Sequence, residues 1–339
     1  MMLYGVSSFL FYQACKYKHK LVLLISLSFP LIFATIREGI GTDYNTYLIM
    51  YEYNSKLSFT QFFLNRDFSS VSVFLFSKIS YLFGTSKIFF FLFAFTTLVP
   101  FSIFIYKKIN YKKSFALYFI FLLTTFTVSL NIMKQAAAVS IVFASFYFIL
   151  KNKFLLYLLS ILFASLFHSS AIIMLPIYFL WDHKKGNIRY TIVTPLLLFI
   201  LIFSLQWRSI LPFLVKFFPF LDRYLGYADS TISSKNMSFF IDVFFLLIFI
   251  VFYKRLRRKK ENKLYLLLLL IGILFEIMGF SMVYAKRLSM YFISIPTIFL
   301  SIETCSLFKE KKIAFFLLIA YEVMYFYISV VLLGHGDLI

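Results

Sequence analysis

The chain has 339 residues, of which 62% are hydrophobic and 14% are charged, and its mean hydropathy is +0.88. This composition excludes a water-soluble domain built around a single core. The net charge of +20 would indicate a nucleic-acid partner in a soluble protein. Here the Lys and Arg residues occur in short loops between apolar runs, which is the positive-inside pattern, so no nucleic acid is expected. We predict an all-α, polytopic membrane protein that forms one integral membrane domain over residues 1–339.

The first apolar run, residues 3–15, has the length of a signal peptide, but the basic cluster 16–20 follows it instead of preceding it. We therefore expect a retained helix whose N-terminus lies outside the cytoplasm. The next run, residues 21–36, returns the chain to the outer face, so residues 37–67 are predicted to be an extracytoplasmic loop.

The start of that loop collects charge, glycine and tyrosine at the end of an apolar segment. Gly39 and Gly41 allow the backbone to turn sharply, and Asp43 is a plausible helix start. Polar and aromatic residues then recur at helical spacing: Asp43, Tyr47, Tyr51 and Asn54. They predict an amphipathic helix over residues 43–54 that lies on the membrane surface and turns this face toward a ligand.

The apolar segment 68–83 contains five serines and Lys78. Because the lysines at 107 and 108 should be cytoplasmic, only one full crossing fits between Asp43 and Lys107. We therefore predict that residues 68–83 form a re-entrant or partly inserted helix.

The rest of the chain alternates between apolar spans and polar connections. Spans are predicted near residues 86–106, 114–130, 133–150, 154–167, 169–181, 190–205, 238–253, 264–283, 288–304 and 313–333. With the first two they make about twelve transmembrane helices. Residues 206–237 are predicted to be a large extracytoplasmic loop that sets substrate specificity through its polar residues Arg208, Asp222, Arg223 and Asp229. The basic cluster 254–260 is the strongest cytoplasmic anchor.

Several ionisable or polar residues fall at the outer ends of predicted helices, on the same side as Arg37 and Asp43. They are Lys134 with Gln135, His168 with Ser169, and Lys286 with Arg287. Such residues are costly in a membrane unless they line a cavity or anchor to headgroups, so their gathering on one face predicts a site. Arg37 is the strongest candidate because its planar guanidinium suits a phosphate or diphosphate, the alternative being a snorkelling anchor.

The other candidates also have structural alternatives. Asp43 is either a general base or a charge that complements the helix start. Lys134, which precedes three alanines, is either a ligand-binding cation or a lysine that snorkels to the interface. His168 is either a base or a helix cap between serines. Arg287 is either a second phosphate clamp or an anchor.

Other classes of site find little support. The sequence has no HExxH, P-loop or GxSxG motif and no Cys or His cluster at metal spacing, so neither a metal nor a cofactor is expected. Cys15 and Cys305 are interpreted as packing residues. Four intramembrane acids keep a transporter as an alternative, although some could pair with lysines near the ends of spans: Asp242, Glu276, Glu303 and Glu322.

Four short motifs occur in the order and approximate spacing seen in EpsG/Wzy-type polysaccharide polymerases, which the chain resembles over nearly its whole length. They are Arg37 with Gly41-Thr42-Asp43-Tyr44 and Tyr47, Lys134-Gln135, Phe167-His168-Ser169-Ser170-Ala171, and Arg287-Leu288 with Tyr291-Phe292. The chain departs from that pattern at Lys134, where arginine is frequent, and at Arg66-Asp67-Phe68, where relatives tend to have an acidic-proline-glycine turn.

The resemblance implies a GT-C-like membrane glycosyltransferase in the cytoplasmic (inner) membrane of a bacterium. Its substrates would be an undecaprenyl-diphosphate-linked oligosaccharide donor and acceptor, which it joins into O-antigen or a related surface polysaccharide at the periplasmic face. Membrane lipids are expected partners, and a chain-length regulator protein is a further candidate partner. A lipid-linked oligosaccharide flippase and a glycan ligase remain the alternatives.

The resemblance also implies roles for the site residues. It assigns the diphosphate to Arg37 and Arg287, the diphosphate or a sugar to Lys134 and Gln135, sugar contacts to Tyr44 and Tyr47, further substrate contacts to Ser169 and Tyr291, and the base to Asp43 or His168.

Overall fold

The computed structural model describes residues 1–64, 71–217, 237–280 and 283–332. The chain divides into two compact units, Met1–Leu175 with Phe308–Leu338, and Pro176–Leu307. Helices dominate both units, which confirms the predicted all-α class. A hairpin of two strands with two residues each, in the second unit, is the exception within the ranges that the structure describes.

The helices are numbered in chain order. The first unit begins with α1 (Met2–Tyr17), α2 (Lys20–Ile36), α3 (Tyr44–Lys56), α4 (Phe59–Leu64), α5 (Val71–Leu82), α6 (Lys87–Lys108), α7 (Tyr111–Phe121), α8 (Met133–Leu150) and α9 (Phe154–Ser165). The second unit contains the hairpin β1 (Trp181–Asp182) and β2 (Asn187–Ile188), followed by α10 (Tyr190–Phe217), α11 (Met237–Val251), α12 (Tyr253–Leu256), α13 (Lys260–Gly279) and α14 (Val283–Cys305). Helix α15 (Lys311–Phe326) belongs to the first unit.

Many of these helices can cross a membrane. Six are long and apolar enough within the described part of the chain: Lys87–Lys108, Met133–Leu150, Tyr190–Phe213, Lys260–Gly279, Ala285–Cys305 and Lys311–Val330. Five apolar helices are shorter: Lys20–Ile36, Val71–Leu82, Phe154–Ser165, Ser169–Leu180 and Ser238–Val251. The chain is therefore a multi-pass membrane protein, whereas the total of about twelve crossings and their orientation stay predictions.

Helix α5 corresponds to the segment predicted to insert only partly. Its 12 residues extend roughly 18 Å, which is short of the roughly 30 Å of a hydrocarbon core. Helix α5 alone is therefore too short to span. Arg66, Asp67 and Phe68, where the chain departs from the EpsG/Wzy-type pattern, lie outside the described residues.

The span predicted near residues 169–181 is helical, but it is not an α-helix. Residues Ser169–Leu180 form a 3₁₀-helix that contains Pro176. Proline has no N–H to donate to an α-helical hydrogen bond, so it disfavours the expected α-helix at this point.

The prediction that residues 206–237 form a loop is wrong for the first part of this range. Helix α10 continues to Phe217 across one irregular residue, Gln206, with φ −122° and ψ 17°. Beyond it, Trp207 and Leu211 are buried one turn apart and pack with Met278 and Ala285. This packing stabilises the helix where the sequence shows only mixed polarity.

The correction changes where the predicted specificity residues lie. Arg208 is an exposed residue of α10. Asp222, Arg223 and Asp229 lie outside the described residues.

The ligand-facing side predicted for α3 packs against α6 instead. Three ring pairs join the two helices: Tyr44–Phe90, Tyr47–Phe93 and Tyr51–Phe89. The Tyr44 and Phe90 rings stack with centroids 4.8 Å apart. Tyrosine rings pair with phenylalanine as readily as they meet a ligand. The expected helix exists, but the interpretation of an open face is wrong for Tyr47, which is only 6% exposed.

Two expectations about buried polar and sulfur groups are confirmed. Glu303 pairs with Lys259, whose Nζ donates to the carboxylate at 2.6 Å. Cys15 and Cys305 are buried free thiols. One of the four acids that supported a transporter is thus paired with an exposed lysine.

Candidate functional site

Arg37 directly follows α2 and is 4% exposed. Its Nη2 donates to the sulfur of Met133 at 3.4 Å, and its Cζ lies 5.4 Å from the ring centroid of Phe90 and 5.9 Å from that of Tyr44. Nε and Nη1 are buried and have no hydrogen-bond partner in the described part of the chain. Unmet donors of a buried charged group are costly, so this position is suited to a ligand that accepts hydrogen bonds.

The charge of Arg37 persists despite its burial. Burial lowers the pKa of the guanidinium to about 10, against the opposing effect of three nearby tyrosines. Because this pKa lies far above neutrality, the side chain stays cationic. The aromatic rings compensate part of the lost hydration, but a carboxylate partner is missing among the described residues. An anion would supply the missing charge.

Gly41 brings the backbone close to Arg37 and to Asn131. Its φ is +104°, and a Cβ at this position would lie 2.5 Å from Asn131 Oδ1 and 3.5 Å from Arg37 Nη1. Asn131 is 1% exposed, and Oδ1 has no hydrogen-bond partner within the described ranges. The surroundings of Gly41 therefore contain one cationic donor and one acceptor that are unmet within the described ranges, and these match an anion and a hydroxyl group.

Helix α8 begins next to this space. Its first residue, Met133, contacts Arg37, and Lys134 and Gln135 follow in the first turn. Lys134 is half-buried and Gln135 is buried. The N-terminal end of a helix carries partial positive charge and therefore adds to the attraction for an anion.

The three alanines after Gln135 are fully buried, and α8 packs against both α6 and α9. This arrangement confirms the close helix approach that the small residues predicted. It also fixes the start of α8 relative to the aromatic face of α6.

An aromatic cluster extends from Tyr47 to the segment of His168. The ring of Phe93 lies 6.5 Å from that of Tyr47 and 6.2 Å from that of Phe167. His168 follows Phe167 and is half-buried, with Nδ1 and Ser170 Oγ 2.5 Å apart. Ser169 is exposed. The imidazole is thus held by a local hydrogen bond, as the cap alternative expects, at the end of a cluster that reaches α3.

Asp43 occupies the N-cap position of α3, but its side chain makes no capping hydrogen bond. The structure thus shows the predicted helix start without the cap interaction that usually accompanies it. Tyr44, the next residue, is half-buried and stacks on Phe90. The choice between a general base and a helix-start charge for Asp43 stays a prediction.

Arg287 and Tyr291 belong to the second unit. Arg287 is an exposed residue in the first turn of α14, and Tyr291 is buried one turn later. Burial of Tyr291 is typical of a packing residue. A role of these two residues in the same site as Arg37 stays a prediction.

Sequence reasoning missed three neighbours of Arg37: Asn131, Met133 and Phe90. Asn131 carried a usable signal, because it is an amide at the junction of two apolar runs and stands three residues before Lys134. Phe90 carried none, since it is one of 49 phenylalanines. Among the described residues, no three His, Cys, Asp or Glu side chains are grouped so as to hold a metal ion.

Together these features define an all-α, multi-pass membrane protein with a buried arginine that has no counter-ion among the described residues. Residues 20–337 match the EpsG family, and the chain belongs to that family, as its motifs indicated. Members are generally glycosyltransferase-like polymerases, which suggests a polysaccharide-polymerase type of role. Neither the curated proteins nor the solved structures contain a match to this chain.

We expect Gly41→Ala to damage the site and Gly39→Ala to be tolerated better. Both glycines have positive φ, but a Cβ on Gly39 would meet nothing within 4 Å. Strain alone costs about 1 kcal/mol, and the clash at Gly41 adds about 1–3 kcal/mol. At roughly 2–4 °C per kcal/mol, Gly41→Ala should melt several degrees below Gly39→Ala in detergent. Equal melting temperatures would contradict the close approach to Asn131.

Proposed function

We propose that the protein is a polymerase that joins undecaprenyl-diphosphate-linked oligosaccharide repeat units into O-antigen or a related surface polysaccharide. It would act at the outer face of the bacterial cytoplasmic membrane. The observation that carries the proposal is the buried, uncompensated guanidinium of Arg37 beside the unmet acceptor of Asn131. Membership of the EpsG family supports the reaction class.

The chemistry of the leaving group explains why a fixed cation matters. The acceptor hydroxyl oxygen forms a bond to the anomeric carbon of the growing glycan while the bond from that carbon to the diphosphate oxygen breaks. The departing undecaprenyl diphosphate gains negative charge, and Arg37 would stabilise it with the two donor nitrogens that are unmet among the described residues, Nε and Nη1. Lys134 and the start of α8 add positive potential. The resemblance implies a diphosphate contact for Arg287 as well, which stays a prediction.

The acceptor hydroxyl must lose its proton as the new bond forms. We assign the base to Asp43, because a carboxylate can accept the proton and Asp43 directly precedes Tyr44, whose ring lies 5.9 Å from the Arg37 guanidinium carbon. His168 is the alternative base. Asn131 Oδ1 would accept a hydrogen bond from a sugar hydroxyl, and the exposed part of the Tyr44 ring would contact a sugar face. Gln135 and Ser169 are the further substrate contacts. Tyr47, which is buried against Phe93, would support this wall from behind.

The function can be tested by deleting the gene and separating the surface glycan on a gel. We expect the mutant to keep a band of single repeat units and to lose the ladder of longer chains, because assembly and export of one unit do not need the polymerase. Loss of all glycan would support the flippase or ligase alternatives instead.

Arg37→Ala should abolish the ladder while the protein level holds. Removal of one donor to a developing negative charge costs about 10²–10³ in rate. Arg37→Lys, which keeps the charge and loses the planar fork, should give a shortened ladder. Immunoblots measure the protein level and gels the glycan.

Lys87→Ala is the matched control for Arg37→Ala, because it also removes a cation. Lys87 is exposed and lies 3.7 Å from the Glu38 carboxylate, and exposed pairs of this kind contribute little. Its ladder should stay normal. If the Arg37→Ala variant kept a normal ladder, the proposal that Arg37 binds the diphosphate would be contradicted.

Asp43→Asn keeps the shape and the capping ability of the residue and removes its basicity. If Asp43 is the base, chain elongation should slow by about 10²–10⁴. The measurement is the rate of ladder growth after induction, with His168→Gln tested in parallel. Normal growth in Asp43→Asn with a loss in His168→Gln would transfer the base to His168 and leave Asp43 as a helix-start charge.

A further inference from the structure

The second unit contains a cavity of about 700 Å³ beside the basic cluster of residues 254–260. One side of the cavity is apolar and is formed by α10 and α13, which pack against each other. The lining residues Val193, Leu197, Leu266 and Leu270 give this wall the character of a lipid-contacting surface.

Four cations from α12, the turn after it and the first turn of α13 also line the cavity. They are Lys254, Arg257, Arg258 and Lys263, and no acidic residue lines the cavity among the described residues. Two of these cations contact uncharged groups. Lys263 Nζ donates to the carbonyl oxygen of Gly186 at 3.5 Å, and the guanidinium carbon of Arg257 lies 5.4 Å from the ring centroid of Tyr253.

Lys259 belongs to the same basic cluster but, unlike the lining cations, it has an acidic partner. It is bound to Glu303 at 2.6 Å and does not line the cavity. The four lining cations have no such ion pair within the ranges that the structure describes. They therefore bring uncompensated positive charge to a cavity that also has aliphatic walls, where an anionic group would be attracted.

Two tyrosines also line the cavity. Tyr190 opens α10, Tyr253 opens α12, and their hydroxyl groups are joined by a hydrogen bond. Tyrosine beside charged and apolar surfaces is typical of the headgroup level of a membrane, because the ring is apolar and the hydroxyl is polar. A lining of cations, tyrosines and aliphatic side chains has the groups that contact the phosphate, the headgroup level and the acyl chains of a phospholipid.

We propose that this cavity binds one anionic phospholipid of the cytoplasmic leaflet. Its phosphate would contact the four lining cations, and an acyl chain would lie along α10 and α13. The basic cluster is the strongest cytoplasmic anchor of the chain, which places the cavity at that leaflet. The site is separate from the proposed transfer reaction, which uses the outer face.

The test is native mass spectrometry of the full chain in detergent with added phosphatidylglycerol or phosphatidylcholine. We expect phosphatidylglycerol to be retained and phosphatidylcholine to be lost. Arg257→Gln/Arg258→Gln should weaken phosphatidylglycerol binding by about tenfold or more, since each basic residue near an anionic lipid contributes about 1 kcal/mol.

Two further variants separate the cavity from general surface charge. Lys311→Gln/Lys312→Gln makes the same charge change at exposed lysines that begin α15, and it should leave binding unchanged. Thr194→Trp fills the cavity without changing charge, and it should reduce retention as the double arginine variant does.

The proposal would be overturned by equal loss in both double variants or by unchanged retention in Thr194→Trp. Co-purification of a polyprenyl phosphate that added phosphatidylglycerol does not displace would also overturn it.

Discussion

The first unit depends on the cost of burying the charge of Arg37. A guanidinium with two unmet donors is tolerated there because Phe90 and Tyr44 surround it and the sulfur of Met133 accepts one hydrogen bond. These partners come from α6, α3 and α8, so three helices meet around one cation. Gly41 completes the arrangement, since a side chain there would collide with Asn131. A site that keeps an uncompensated charge is prepared for an anionic ligand.

Aromatic packing connects this cation with residues far away in sequence. Helix α6 presents successive phenylalanines to α3, and one of them, Phe93, also contacts the segment that carries His168. In the interior of a membrane protein the hydrophobic effect does not distinguish one apolar neighbour from another, so close packing decides which helices associate. Ring pairs with defined geometry contribute to that selection. The aromatic wall therefore holds the loop after α2 in place.

Charge has different roles in different parts of the second unit. Lys259 and Glu303 form an ion pair. The neighbouring cations that line the cavity between α10 and α13 lack such a partner among the described residues. Lys259 and three of the lining cations belong to one basic cluster, and only the tertiary contacts distinguish the paired lysine from the cations that face a cavity.

The sequence by itself determined the membrane class, most helices and the family motifs, because hydropathy, helix length and helix starts are local properties. It located Arg37 and the helix that begins at Tyr44 for the same reason. The tertiary structure decided the features that depend on distant partners. Helix α10 continues past Gln206 because Trp207 packs against other helices of its unit. Tyr47, in the predicted ligand face of α3, is buried against α6. Asn131 and Arg37 both come close to Gly41. Such contacts join residues distant along the chain, and composition and periodicity carry no record of them.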